Sequence, residues 1–115
     1  MSTITVKNNT IYWEILRGVN AYTVINKSTG WAMYDEIRMD FKPEKDIDSF
    51  PMLTLTPGNG MTIDGNKLII SVTKEQATVL RRKQIYADIK CRIGSVVEPP
   101  IPFLVPIKDT VTKLP

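Results

Sequence analysis

Apolar and polar residues alternate with a period of two along most of this chain, the pattern of strands with one buried face. Ile4 and Val6 begin a short strand, and Asn8-Asn9 marks a turn. Ile11, Trp13 and Ile15 then line one face of a second strand, with Tyr12, Glu14 and Leu16 on the other. Gly18 ends it, and the stretch to Gly30 reads as turn-rich, with Tyr22, Val24 and Ile25 covering the end of the core. Trp31 to Met39 reads as a third strand with Trp31, Met33, Ile37 and Met39 on one face. Asp35 falls on that same face, so a bulge or a polar contact at the strand centre is expected. Asp40 to Pro51 reads as a charged, exposed loop, after which Leu53 and Leu55 resume the alternation.

Met61-Thr62-Ile63 and Lys67 to Val72 flank Asp64-Gly65-Asn66, the chemistry of a tight hairpin turn. Thr73 followed by Gln76 three residues later forms a capping-box signature and opens a short helix near residues 74–82. Ala77 and Leu80 are its expected buried positions, and Arg81, Arg82 and Lys83 would suit the negative end of the helix dipole. Ile85, Ala87, Ile89, Cys91 and Ile93 alternate strictly with Tyr86, Asp88, Lys90 and Arg92 in the clearest strand of the chain.

The last strand, around Ile101, Phe103, Val105 and Ile107, carries Pro102 and Pro106 on the opposite parity. Both prolines remove donors from the same lateral side, which predicts a protected edge strand. The sum is an all-β fold: an antiparallel, immunoglobulin-like β-sandwich of about seven strands with one short helix.

A chain of 115 residues fits a single domain over 1–115 that buries a core without staples. No apolar run approaches the roughly 18 to 20 residues of a membrane helix, and no membrane partner is expected. The first residues lack the basic and apolar regions of a signal peptide, so synthesis and folding in a cytoplasm are expected. Cys91 is the single cysteine, which excludes an intrachain disulfide and a thiolate cluster for a metal. Histidine is absent, removing the commonest general base and metal ligand. No catalytic, cofactor-binding or metal-binding residue is assigned. The net charge of +3 lacks the dense basic stripe of a nucleic-acid binder, so no nucleic-acid partner is expected.

Trp13 and Trp31 share the parity of neighbouring aliphatic residues and are read as core rather than as an exposed platform. Tyr12, Tyr34 and Tyr86 lie on the opposite parity and are the candidates for a contact surface. Glu44, Asp46 and Asp48 lack the glycine and distal glutamate of a calcium loop, and lysines intervene. Asp35 and Glu36 point to opposite faces of a strand and cannot converge on one substrate atom. Arg81-Arg82-Lys83 could meet an acidic partner, but helix-end complementarity accounts for it. Cys91, on the inward parity, reads as a buried inert thiol.

The order of these elements resembles small bacteriophage structural domains, among them the N-terminal domain of the baseplate upper protein of lactococcal-type phages. The residues that carry the resemblance are Thr10-Ile11-Tyr12-Trp13, and the strand from Gly30-Trp31 to Ile37-Arg38. Gly58-Asn59-Gly60 before the hairpin, Leu68 to Gln76, Tyr86 to Ile89 and Val105 to Thr112 continue it. Pro102-Phe103 stands where the family usually starts its final strand with glycine, and the loops at 18–30 and 40–51 are individual to this chain.

The resemblance implies a non-enzymatic assembly module of a phage or prophage tail, baseplate or virion. It implies other phage structural proteins, or a second copy of the chain, as partners, and no cofactor. It places the protein in the virion after synthesis in the host bacterial cytoplasm. A carbohydrate- or receptor-binding module using exposed aromatics is the alternative, and an enzyme using carboxylates or lysine is the weakest of the three.

Overall fold

Inward alternation is satisfied over most of the chain, and the result is a mixed β-sheet wrapped round one apolar core. The computed structural model describes residues 4–110. Its strands are β1 (Ile4–Lys7), β2 (Thr10–Trp13), β3 (Ile15–Leu16), β4 (Ala21–Asn26), β5 (Glu36–Lys42) and β6 (Leu53–Pro57). They continue with β7 (Gly60–Asp64), β8 (Lys67–Val72), β9 (Gln84–Ile93), β10 (Val96–Val97) and β11 (Ile101–Lys108). One helix, α1 (Lys74–Val79), lies between β8 and β9. The strand order is β1-β2-β11-β9-β5-β6-β7-β8-β4, with β10 beside β9 and β3 beside β11. The main path therefore holds nine strands rather than about seven.

The sheet is not purely antiparallel. β11 runs antiparallel to β9 but parallel to β2 and β3, and β6 meets β7 in parallel. This corrects the expectation of an edge at β11. Ile107 donates to the Lys83 carbonyl, so the odd residues of β11 bond toward β9 and the even residues face β2 and β3. Pro102 and Pro106 do thin the donors on that side, as their parity requires. A proline keeps its carbonyl, however, and the parallel neighbour uses a sparser ladder. Tyr12 is opposite Leu104 and Ile15 is opposite Ile107. With that offset Glu14 stands opposite Pro106, and the break between β2 and β3 falls there.

Trp13, fully buried, holds three strands together. Its ring lies 6.4 Å from Phe103 of β11, edge-on, and 6.4 Å from Phe41 of β5, tilted. Trp31 is also fully buried, and its Nε1 donates to the Asn66 carbonyl at 3.1 Å. β8 contributes Leu68, Ile70 and Val72 to the core, and β9 contributes Ile85, Ala87, Ile89 and Cys91. Full burial of each large side chain is worth about 1.5–3 kcal/mol.

Residues 18–30 are not merely turn-rich. β4 pairs with β8 along its length and turns Ala21, Thr23 and Ile25 inward, while Tyr22 is exposed and Val24 half-buried. Trp31 to Asp35 form a turn rather than strand, and the following strand continues through Phe41 and Lys42 into the stretch expected as loop. Asp35 enters a polar contact at the strand entrance: its carboxylate accepts the Gly94 N–H at 2.6 Å.

The hairpin closes on Gly65-Asn66, with Asp64 opposite Lys67 and Gly65 at φ +59°. The capping box is present: Thr73 Oγ1 accepts the Gln76 N–H, and Gln76 Oε1 accepts the Thr73 N–H. The helix stops at Val79, short of Arg82, because Leu80 leaves helical geometry and sinks into the core. Its carbonyl accepts from Arg17. Arg81, Arg82 and Lys83 lie beyond the helix, and its last turn holds no basic residue.

Candidate functional site

The outward residues of β2, β11, β9 and β5 form a shelf fixed by register. Tyr12 lies opposite Leu104, Leu104 opposite Tyr86, and Tyr86 opposite Lys42, a single row across four strands. In the next row Pro102 faces Asp88, Asp88 faces Asp40, and Asp40 faces Thr54. Above these, Arg38 is opposite Lys90. The rows floor a groove of about 530 Å³, bounded by the loop that follows β5.

That loop is tied down by its first lysine. Lys42 Nζ donates to the carbonyls of Ile47 (2.8 Å) and Asp46 (3.4 Å), and Asp46 accepts the Asp48 N–H at 3.0 Å. Lys45 places its ammonium 5.5 Å from the centre of the Tyr86 ring, and Lys7 sits 5.8 Å from that of Tyr12. The loop leaves Ile47 75% exposed at the rim and Phe50 90% exposed further along.

Acids and bases around the groove offset one another. Asp40 Oδ1 accepts from Arg38 Nε at 3.0 Å and from Thr54 Oγ1 at 2.7 Å. Two carboxylates facing each other directly across a ladder destabilise it unless compensated. Arg38 supplies that compensation on the Asp40 side.

Two of the three tyrosines expected at a contact surface therefore meet in one place, Tyr12 and Tyr86, each half-buried with Leu104 between them. Tyr34 does not belong there. It is only 9% exposed because the 31–35 turn tucks its ring against Trp31, 6.1 Å away, and its hydroxyl donates to Glu98 at 2.6 Å.

Lys27 completes that second cluster, 3.6 Å from Glu98 and 5.1 Å from the Tyr34 ring centre. Burial, then the Glu98 hydrogen bond, raises the Tyr34 hydroxyl above the ordinary tyrosine value. Lys27 is held charged above its usual range chiefly by the Tyr34 hydroxyl, burial acting the other way and Glu98 adding to it. Burial also pushes the Cys91 thiol up, which fits an inert core residue. Sequence reasoning missed Ile47, Phe50 and Leu104 as surface groups. Ile47 and Phe50 sat in a stretch read as a charged, exposed loop without being singled out, and Leu104 on a strand read as an edge.

Among the described residues no group of His, Cys, Asp and Glu is placed to hold a metal ion. No helix there is long and apolar enough to cross a membrane.

No family model matches the chain, and no curated protein matches its sequence. Among solved structures it is similar to the natural killer cell receptor Nkp44, "a triggering partner in natural cytotoxicity". The identity there is 11%, with 84% of this chain and 96% of that one covered at a TM-score of 0.46. It is also similar to the extracellular domain of the voltage-gated sodium channel beta4 subunit, solved as parallel homodimers. That match has 6% identity and covers 96% of this chain and 100% of the other at a TM-score of 0.41. At these scores neither likeness bears on what this chain binds.

Proposed function

We propose that the chain is an immunoglobulin-like sandwich acting as a non-enzymatic interaction module, and that its β2-β11-β9-β5 groove seats another protein. Strand neighbours support the fold: β4-β8-β7 lie side by side, as do β11-β9-β5-β6, matching the two sheets of such a sandwich. The inter-sheet disulfide of antibody domains has no counterpart, since Cys91 is the single cysteine.

One observation carries the functional half: the Tyr12-Leu104-Tyr86 row floors a groove whose rim presents the exposed Ile47. Tyrosines with an aliphatic neighbour, ringed by charged groups, are the composition of protein-binding surfaces. Sugar recognition is less well served. The Tyr86 and Tyr12 rings already carry the ammonium groups of Lys45 and Lys7, where a pyranose would stack.

The resemblance in element order to phage tail and baseplate domains supports, as the partner, another structural protein of a virion. The test is mass spectrometry of particles released by the bacterium that encodes the chain, with affinity capture by wild type and by Leu104→Lys. Presence in the particle, and capture of a virion protein that Leu104→Lys loses, are expected. Absence from particles together with no virion protein captured counts against it.

A further inference from the structure

The sheet has two ends, and they differ in how well they are guarded. β1 is four residues long and closes with Lys7. β4 is six residues, Ala21-Tyr22-Thr23-Val24-Ile25-Asn26, without charge, proline, glycine or bulge. Soluble proteins normally blunt such an edge with one of those devices. Lys67 stands opposite Asn26, but on β8 and not on the free side, and the cations that flank β4 in sequence are drawn away from it. Lys27 is engaged by Glu98, Trp31 and Tyr34, and Arg17 by Asp109 and the Leu80 carbonyl.

The free groups of this edge can be named. Lys27 donates to Asn66, and Asn26 is opposite Lys67, so residues 21, 23, 25 and 27 bond to β8. The N–H and C=O of Tyr22, Val24 and Asn26 therefore point away from the sheet, where among the described residues no strand pairs with them. Tyr22 is also 47% exposed.

We infer that β4 is a strand-addition edge and that its occupant is β4 of a second copy of this chain, paired antiparallel about a twofold axis at Val24. Among twofold registers, this one pairs all three free residues: Val24 with its own counterpart, and Tyr22 with Asn26 in both directions. No like charges meet, because the strand has none, and Tyr22 covers an uncharged amide. The product is a continuous β7-β8-β4 sheet running through both copies. This edge lies on the half of the fold that does not form the groove, so dimerisation leaves the groove available to its partner.

Sedimentation across a range of concentrations tests this, with Val24→Pro, Tyr22→Lys and Leu104→Lys beside wild type. Val24→Pro removes only an outward donor, so the internal β4–β8 bonds survive. A dimer is expected for wild type and Leu104→Lys. Val24→Pro and Tyr22→Lys should each raise its dissociation constant by at least about tenfold.

Val24→Cys keeps the test independent of how well the other variants fold. Directly opposed, hydrogen-bonded residues of an antiparallel pair lie about 5.5 Å apart at Cα, within disulfide reach. Val24→Cys should therefore crosslink to a dimer on mild oxidation, and Tyr22→Cys should not. A monomer at all concentrations that also fails to crosslink through Val24→Cys overturns the inference. So does a dimer lost in Leu104→Lys but kept in Val24→Pro, which would put the contact in the groove.

Discussion

Tyr34 donates its phenolic hydrogen to Glu98 across 2.6 Å, joining the 31–35 turn to the segment that leads into the last strand. Glu98 is also paired with Lys27 at the end of β4, so three chain segments meet at one carboxylate. Burial and this bond hold the Tyr34 proton above the ordinary tyrosine range near pH 10. A raised folded value means the contribution is complete below the unfolded value and is lost as pH rises through the folded one. Lys27, also raised, acts in the same direction. Stability should therefore fall above about pH 10. Spectrophotometric titration should show a late-ionising component that Tyr34→Phe removes, at a cost of about 1 kcal/mol.

Thr23 is fully buried in β4, and among the described residues its hydroxyl has no hydrogen-bond partner. Thr23→Val keeps the branched shape and removes the unsatisfied oxygen. Chemical denaturation should show a gain of about 1 kcal/mol. A loss of that size would mean the hydroxyl has a partner in solution.

Gly60 opens β7 at φ +94°, and a Cβ there would come within 2.5 Å of Leu55 Cδ2. Leu55 is fully buried and cannot swing aside into solvent. Gly60→Ala should therefore cost about 1–3 kcal/mol, combining backbone strain with overpacking, and calorimetry should register a lower Tm.

Cys91 faces the core with its thiol pushed up by burial. Native protein at pH 8 should react with a maleimide or iodoacetamide at least about tenfold more slowly than denatured protein, because the thiolate is both scarce and covered. Equal rates in mass-spectrometric time courses would show that β9 opens readily.

The elements that could be read from the chain are those whose signals are local. Asp64-Gly65-Asn66 turns within its own hairpin, Thr73 and Gln76 cap each other, and β9 alternates without interruption. β4 escaped notice because a threonine holds its central inward position, while Tyr22 and Val24 place apolar bulk on the outer face. Met33 preserved the alternation across a turn that Asp35 fixes through a residue far along the chain, Gly94. At β11 the prolines reported correctly which side is poor in donors. What occupies that side depended on residues near the opposite end of the chain. The groove failed for the same reason: Tyr12 and Tyr86 each have the outward parity, but their meeting requires Leu104 to be inserted between them.

That insertion sets an order of events during synthesis. The β1–β2 hairpin reaches the rest of the sheet through β11, since the neighbours of β2 are β1 and β11. A ribosome must therefore finish residues 101–108 before residues 4–16 can dock, although those were made first. Until β11 pairs, one side of β9 stays open, and a folding chain with that central strand uncovered invites association with other chains.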